Sequence, residues 1–475
     1  MNRPPMRRGL VLPLLYGLLA VCAPAFARQE TAPAAPPPDL PARPYSLPRL
    51  ETRTLPNGLK IVVAESHRIP MVTLRMAVQA GSVQEPQELP GLAAAVASQM
   101  TAGTARYTSL QLREAAENLG GAVSVSAGDD FATVSASALS EKAGALLALL
   151  ADVLLHPTFP ESELNIYKGL TLQQLVVQRQ NPAFLANEQI AKRLYGAHAY
   201  GVVAPTPAAV NALTRDKLLA FYKAHYTPTG AVLIVVGDIQ PAAVFQAVEK
   251  ALGGWSGSGA APSAPPAFPT PEARHLYLVN RPGSVQSNIL LGNLALKRDD
   301  PDYYALALAN AILGGSGFNS RLFANVREKQ GFAYDARSAL APRALAGDIT
   351  ASAQTRTDVT APALTEMLKE VERIRTEPVG EAELQAVKNF VNGTFVLSLD
   401  LQSGLADRLL TQEAYHLPAD YLTTFRDKIN AVTVADVQRV AQKYLHPDKA
   451  AIVVVGDAAK LRDSLKAICP LTEVQ

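Results

Sequence analysis

An internal duplication constrains this chain more than any other feature. Asn211-Ala-Leu-Thr214 precedes a helical pattern, then Tyr226-Thr-Pro228, then an apolar run closing at Gly237-Asp238. Asn430-Ala-Val-Thr433 precedes the same succession, through Leu445-His-Pro447 to Gly456-Asp457, at a constant offset of 219. Upstream, ELNIYK from Glu163 and ELQAVK from Glu383 repeat at an offset of 220. Two copies this long indicate a doubled domain, because solenoid repeats are only about 20–50 residues each. A chain of 475 residues holds two such copies at ordinary domain size.

Punctuation places the boundaries. Arg3, Arg7 and Arg8 precede the apolar run Leu10–Val21, and Ala25-Phe-Ala27 is a small-x-small site, so residues 1–27 read as a signal peptide. Cys22 offers a lipoprotein reading, but Val21 fits a lipobox poorly, so cleavage after Ala27 is expected. The expected location is the periplasm. Residues 28–47 are a Pro/Ala-rich tether. Residues 48–252 form an N-terminal domain, 253–271 (GGWSGSGAAPSAPPAFPTP) a linker, and 272–470 a C-terminal domain.

Removing residues 1–27 takes away three Arg and no acid, which carries the net charge from +2 to −1. A nucleic-acid partner gains no support from that balance. No later apolar stretch is long enough for a membrane span. Of the two cysteines only Cys469 follows the cleavage site, so no intramolecular disulfide is possible. Without a neighbouring His in sequence, Cys469 is also a poor nucleophile candidate.

Gly58–Ser66, Val72–Ser82 and Ala122–Leu139 alternate or run apolar with β-branched residues and read as strands. LQLREAAENLGG, LLALLADVLLHP and ELNIYKGLTLQQLVVQRQNP have helical spacing with Gly or Pro stops. Strands and helices come in groups rather than in strict alternation, which predicts an α+β fold.

Two segments stand out chemically. GLAAAVASQMTAGT (Gly91–Thr104) reads as a helix whose Ala94, Ala95 and Ala97 suit close packing. RLFANVREKQGFAYD (Arg321–Asp335) follows a loop containing Gly314, Gly315 and Gly317. That loop lacks a preceding strand in βαβ context and a Lys-Ser/Thr pair, so a tight helix entry explains it better than phosphate binding. Taken singly, Arg327 beside Glu328 reads as a solvated helix charge and Tyr334 as a half-buried strand aromatic. The seven His include no pair spaced for a shared metal, so no metal site is assigned.

In their order along the chain, these motifs resemble the pitrilysin/insulinase-type, mitochondrial-processing-peptidase-like zinc peptidases, over roughly Leu50–Ile468. The resemblance implies two homologous domains, each a mainly antiparallel sheet packed with helices, together forming half of a clam-like chamber. In that family the first segment reads GLAHxxEHMxFxGT. Here Ala94, Ala97 and Ser98 replace its His, Glu and His, and Gln174 falls where a distant Glu ligand is expected, with Tyr167 at a further acidic position. The second segment is retained, and in the family its Arg and Tyr, here Arg327 and Tyr334, reach toward the zinc-bearing domain.

The resemblance therefore implies a non-catalytic subunit that binds no cofactor itself. It would pair as a heterodimer with a homologous HxxEH-containing chain that holds the zinc, and the pair would act on peptides or unfolded segments. The alternative is a structural protein of the same fold with no part in proteolysis.

Overall fold

The computed structural model describes residues 45–257, 259 and 266–474. The expected signal peptide, Cys22, most of the tether and the middle of the linker lie outside the described residues. Among the described residues, twelve strands form two six-stranded sheets. The first holds β1 (Leu50–Thr54), β2 (Lys60–Glu65), β3 (Met71–Val78), β4 (Ala122–Ala127), β5 (Ala132–Leu139) and β6 (Val232–Gly237). The second holds β7 (His275–Asn280), β8 (Gln286–Ala295), β9 (Ala333–Ala341), β10 (Gly347–Arg356), β11 (Ala451–Gly456) and β12 (Leu471–Val474).

The sheets share one topology. Their orders are β1-β2-β6-β3-β5-β4 and β12-β7-β11-β8-β10-β9. β2 pairs with β6 in parallel, as β7 does with β11. The other equivalent pairs, β6 with β3 and β11 with β8 among them, are antiparallel. Only the outer strand differs. β1 comes from the start of the first copy, whereas β12 comes from the end of the second, past the expected boundary at 470. Helices pack on both sheets, and the class is α+β.

Repeated residues do repeated work. Thr214 caps the helix Arg215–His225 and Thr433 caps Val434–Tyr444, each accepting from the backbone N–H three residues on. Lys168 Nζ donates to Asn211 O at 2.8 Å, and Lys388 Nζ donates to Asn430 O at 2.9 Å. Gly237 and Gly456 end the central strands, and a Cβ at Gly237 would lie 2.2 Å from Met71 O.

All six residues of β6 are buried, and all six of β11. A strand that is apolar throughout needs both faces covered. The covers are exchanged between the halves. The helix Gln402–Ala414 of the second half packs on β6 and β3, and Pro182–Tyr195 of the first packs on β11 and β8. Leu405, Ala406 and Leu409 are buried there, as are Ala186, Ile190 and Leu194 on the other side.

Two equivalent hairpins also meet. Asp130, at the β4–β5 turn, accepts from Ala344 N (3.0 Å), Tyr415 OH (2.8 Å) and Tyr200 OH. Arg343, at the β9–β10 turn, pairs with Asp129 and with Asp348 (2.6 Å) and donates to Tyr195 OH (2.6 Å). Two aromatics of the expected linker are packed. Trp255 is buried with its Nε1 on Tyr226 O, and Phe268 packs on the Tyr195 and His198 rings.

Truncating an exchanged cover opens a cavity against the opposite half's sheet. Leu409→Ala is expected to cost about 3 kcal/mol in urea unfolding. It should lower one shared transition rather than split the transition in two.

Candidate functional site

The segment Gly91–Thr104 contains the expected helix, Leu92–Met100, entered at Gly91 in the left-handed region (φ 89°). It packs beside the outer strand β4. Glu85 holds its N-terminus, accepting from Gly91 N at 2.9 Å and Ala93 N at 2.7 Å. A carboxylate suits that end of a helix. Burial nevertheless outweighs the two backbone donors and raises the Glu85 carboxyl to about 7.

Ala95 and Ala97 are buried as close packing requires, Ala97 at 1% exposure. Ala94 is not: it is exposed, as is Ser98 one turn on. The packing expectation for Ala94 therefore fails, because helical spacing puts residues 94 and 98 together on the outer face.

Gln174 is exposed on the helix Glu161–Gln178, which lies against Leu92–Met100. Tyr167 on the same helix is half-buried. Its hydroxyl is raised chiefly by burial, with Thr171 opposing and the Glu85 carboxyl adding to the rise. The helices that would carry a zinc ligand set are thus adjacent. Their four positions offer two methyl groups, an alcohol and an amide. Zinc is held by imidazole, thiolate or carboxylate donors, so these residues do not fit the metal. Among the described residues no group of three His, Cys, Asp or Glu side chains could hold one.

The second motif sits at the equivalent edge of the other sheet. Gly314 lies in the π-helical turn Ala311–Gly315, where a Cβ on it would lie 2.1 Å from Ser338 N of β9. Gly317 adopts φ 68°, and Gly331, at φ 64°, ends the next helical segment. Both departures suit glycine. That segment winds as a π-helix over Phe323–Lys329, a rare geometry that concentrates at functional sites. Arg321 anchors its start through two bonds to Glu383, at 2.8 and 2.7 Å.

Arg327 and Tyr334 come together here. The Arg327 Cζ lies 4.8 Å from the Tyr334 ring centroid, 4.5 Å from Phe323 and 5.9 Å from Phe318. Rings around a guanidinium stabilise it and fix its plane. Its N–H groups have no acceptor among the described residues, so they remain available to a ligand.

Tyr334 is 82% exposed, not half-buried. The cause is a β-bulge. Ala336 faces Ala353 and Ala333 faces Thr355, which leaves Tyr334 and Asp335 against the single Gln354. Such an irregularity re-aims a side chain out of the pleat. The Arg327 aromatic walls were not singled out in the sequence. An aromatic directly after the glycine-rich stretch, Phe318, 73% exposed, was the available signal. The structure does not bring Arg327 and Tyr334 to the Ala94 helix, since the two motifs lie on different sheets.

Comparison with known proteins agrees with this architecture. Residues 60–204 match the family described as "Insulinase (Peptidase family M16)", and residues 212–391 match "Peptidase M16 inactive domain". A Bacillus subtilis chain named an uncharacterised zinc protease is 26% identical over 84% of this chain and 97% of its own length. An Arabidopsis thaliana chain named "Probable mitochondrial-processing peptidase subunit beta, mitochondrial" is 25% identical, over 90% of this chain and 83% of its own. The solved structure of a peptidase M16 inactive domain from Pseudomonas fluorescens superposes with a TM-score of 0.81. It is 29% identical and covers 86% of this chain and 98% of that one.

The Glu85 carboxyl predicts a pH signature. Its folded value lies above the ordinary 4.5, so the folded state binds more protons than the unfolded state between about 4.5 and about 7. Stability from this group is present at low pH and is lost as pH rises through that window. Subtracting the Glu85→Gln stability curve from the wild-type curve should show that fall. A flat difference would contradict it.

Proposed function

Because this chain belongs to the insulinase-type peptidase family M16, we propose that it is the non-catalytic, substrate-binding subunit of a periplasmic heterodimeric zinc metallopeptidase. The observation that carries this reading is a contrast. The four zinc-site positions, Ala94, Ala97, Ser98 and Gln174, hold no metal donor, yet a half-buried Arg327 is held against the solvent-facing Tyr334.

In this reading a homologous partner carries HxxEH and the zinc, and that metal supplies the hydrolytic chemistry. This chain supplies binding and orientation. Arg327, its plane fixed by Phe318, Phe323 and Tyr334, donates paired N–H bonds to a peptide carbonyl or carboxylate. The Tyr334 hydroxyl donates to the oxygen on which charge develops as the peptide bond is attacked. Neither task needs a metal on the same polypeptide. A purely structural role would not require a bulge that turns Tyr334 outward, nor an Arg327 without an acceptor of its own.

The test is reconstitution. The lone chain should neither cleave peptides nor retain stoichiometric zinc, whereas the co-purified pair should do both. In the pair, Arg327→Ala with Tyr334→Phe should lower kcat/KM by about 100-fold or more while leaving zinc content unchanged. Peptide cleavage by the lone chain, or unchanged turnover in the double variant, would refute the proposal.

A further inference from the structure

A cavity of about 480 Å³ opens in the second half, and none of the site residues above lines it. It lies between the turn after β8 and the helices Tyr421–Ala431 and Val434–Tyr444. Arg298, Tyr303, Tyr304, Tyr421 and Lys428 line it. Arg298 is only 7% exposed. Its Nη2 donates to Tyr421 OH at 2.8 Å, and its Cζ lies 4.0 Å from the Tyr303 ring centroid and 5.1 Å from that of Tyr421.

No carboxylate pairs with Arg298 among the described residues, and its Nε and Nη1 have no acceptor among them. The Tyr421 hydroxyl accepts from Arg298, and its own proton likewise has no acceptor there. Lys428 Nζ rests 5.6 Å from the Tyr304 ring centroid, with no carboxylate in ion-pair range among the described residues.

The other charges at the cavity are already engaged or peripheral. Arg439 pairs with Asp302 at 2.8 Å and with Asp436 at 3.6 Å. Asp436 also caps its own helix through Thr433, and Asp300 accepts from Asp302 N and Tyr444 OH. Asp299 is exposed at the rim. Apart from Asp299 at the rim, the unused groups lining this cavity are therefore donors. A buried guanidinium without a counter-charge is costly, and aromatic faces offset only part of that cost.

We propose that this cavity binds a small organic oxyanion, a carboxylate or phosphate. Its charged head sits on Arg298, Tyr421 OH and Lys428, and its body lies among Tyr303 and Tyr304. The volume is far larger than a bare ion needs and lies within the range of small-molecule sites. Such a head group can come from a free metabolite-sized anion or from the C-terminal carboxylate of a peptide.

Calorimetric titration of the full chain at constant ionic strength separates these sources. The probes are benzoate, phenyl phosphate, and N-acetyl-Ala-Phe as the free acid and as the amide. Saturable binding of the free acids is expected, weakened about tenfold or more in Lys428→Gln and lost in Arg298→Gln, with the amide silent. Tighter binding of the peptide acid than of benzoate assigns the site to peptide termini, and equal binding assigns it to free anions. Lys428 is half-exposed, so the Lys428→Gln measurement stands even if Arg298→Gln fails to fold. No saturable binding by any of the acids, equal binding of the amide, or an unchanged affinity in Lys428→Gln would overturn the proposal.

Discussion

The structure depends on covering two central strands from both sides. β6 and β11 are apolar along their whole length, and a sheet strand of that kind is stable only with both faces shielded. Each half takes one cover from the other, through the helices Pro182–Tyr195 and Gln402–Ala414. The ion pairs Arg75–Asp407 and Lys60–Glu413 and the Asp130 and Arg343 bonds then fix the register of one half on the other. Neither sheet is covered on both faces without its counterpart's helix, which explains how a duplicated sequence behaves as a single body.

That arrangement decides where chemistry is available. The central strands are buried, so functional side chains collect at the outer strands β4 and β9 and on the helices beside them. In the first half this edge carries Ala94 and Ser98, which are exposed but chemically inert toward a metal. In the second it carries Arg327 and Tyr334, framed by aromatic rings and turned outward by a bulge. The duplication thus produced two equivalent edges, and the candidate chemistry lies on only one of them. Membership of family M16 makes that asymmetry meaningful.

Much of this was legible in the residues. The offset of 219–220 announced two copies, and the structure shows the repeated Thr214/Thr433 caps and Lys168/Lys388 bonds doing the same work in each. Period-two and period-3.6 patterns located the strands and helices because local sterics and one-sided burial set them. The exchange of helices was not legible. An apolar helix face specifies that it must be buried, not against which sheet. The exposure of Ala94 was missed because alanine suits a buried or an open helix face equally. The outward turn of Tyr334 depends on a one-residue mismatch with β10, which no periodicity in β9 reveals. Burial of Trp255 was not legible in a Gly/Ser/Pro-rich stretch, because the ring is captured by a core whose acceptor, Tyr226 O, lies 29 residues upstream of it.

The central claim is that this chain's Arg327–Tyr334 platform faces the zinc-bearing helix of a partner. A photocrosslinking residue at position 334, activated in the assembled native complex and mapped by mass spectrometry, tests it directly. The account predicts adducts to the partner's HxxEH segment or to bound peptide, and loss of the partner adducts when substrate saturates the complex. Adducts confined to this chain, or to a partner surface remote from HxxEH, would contradict it.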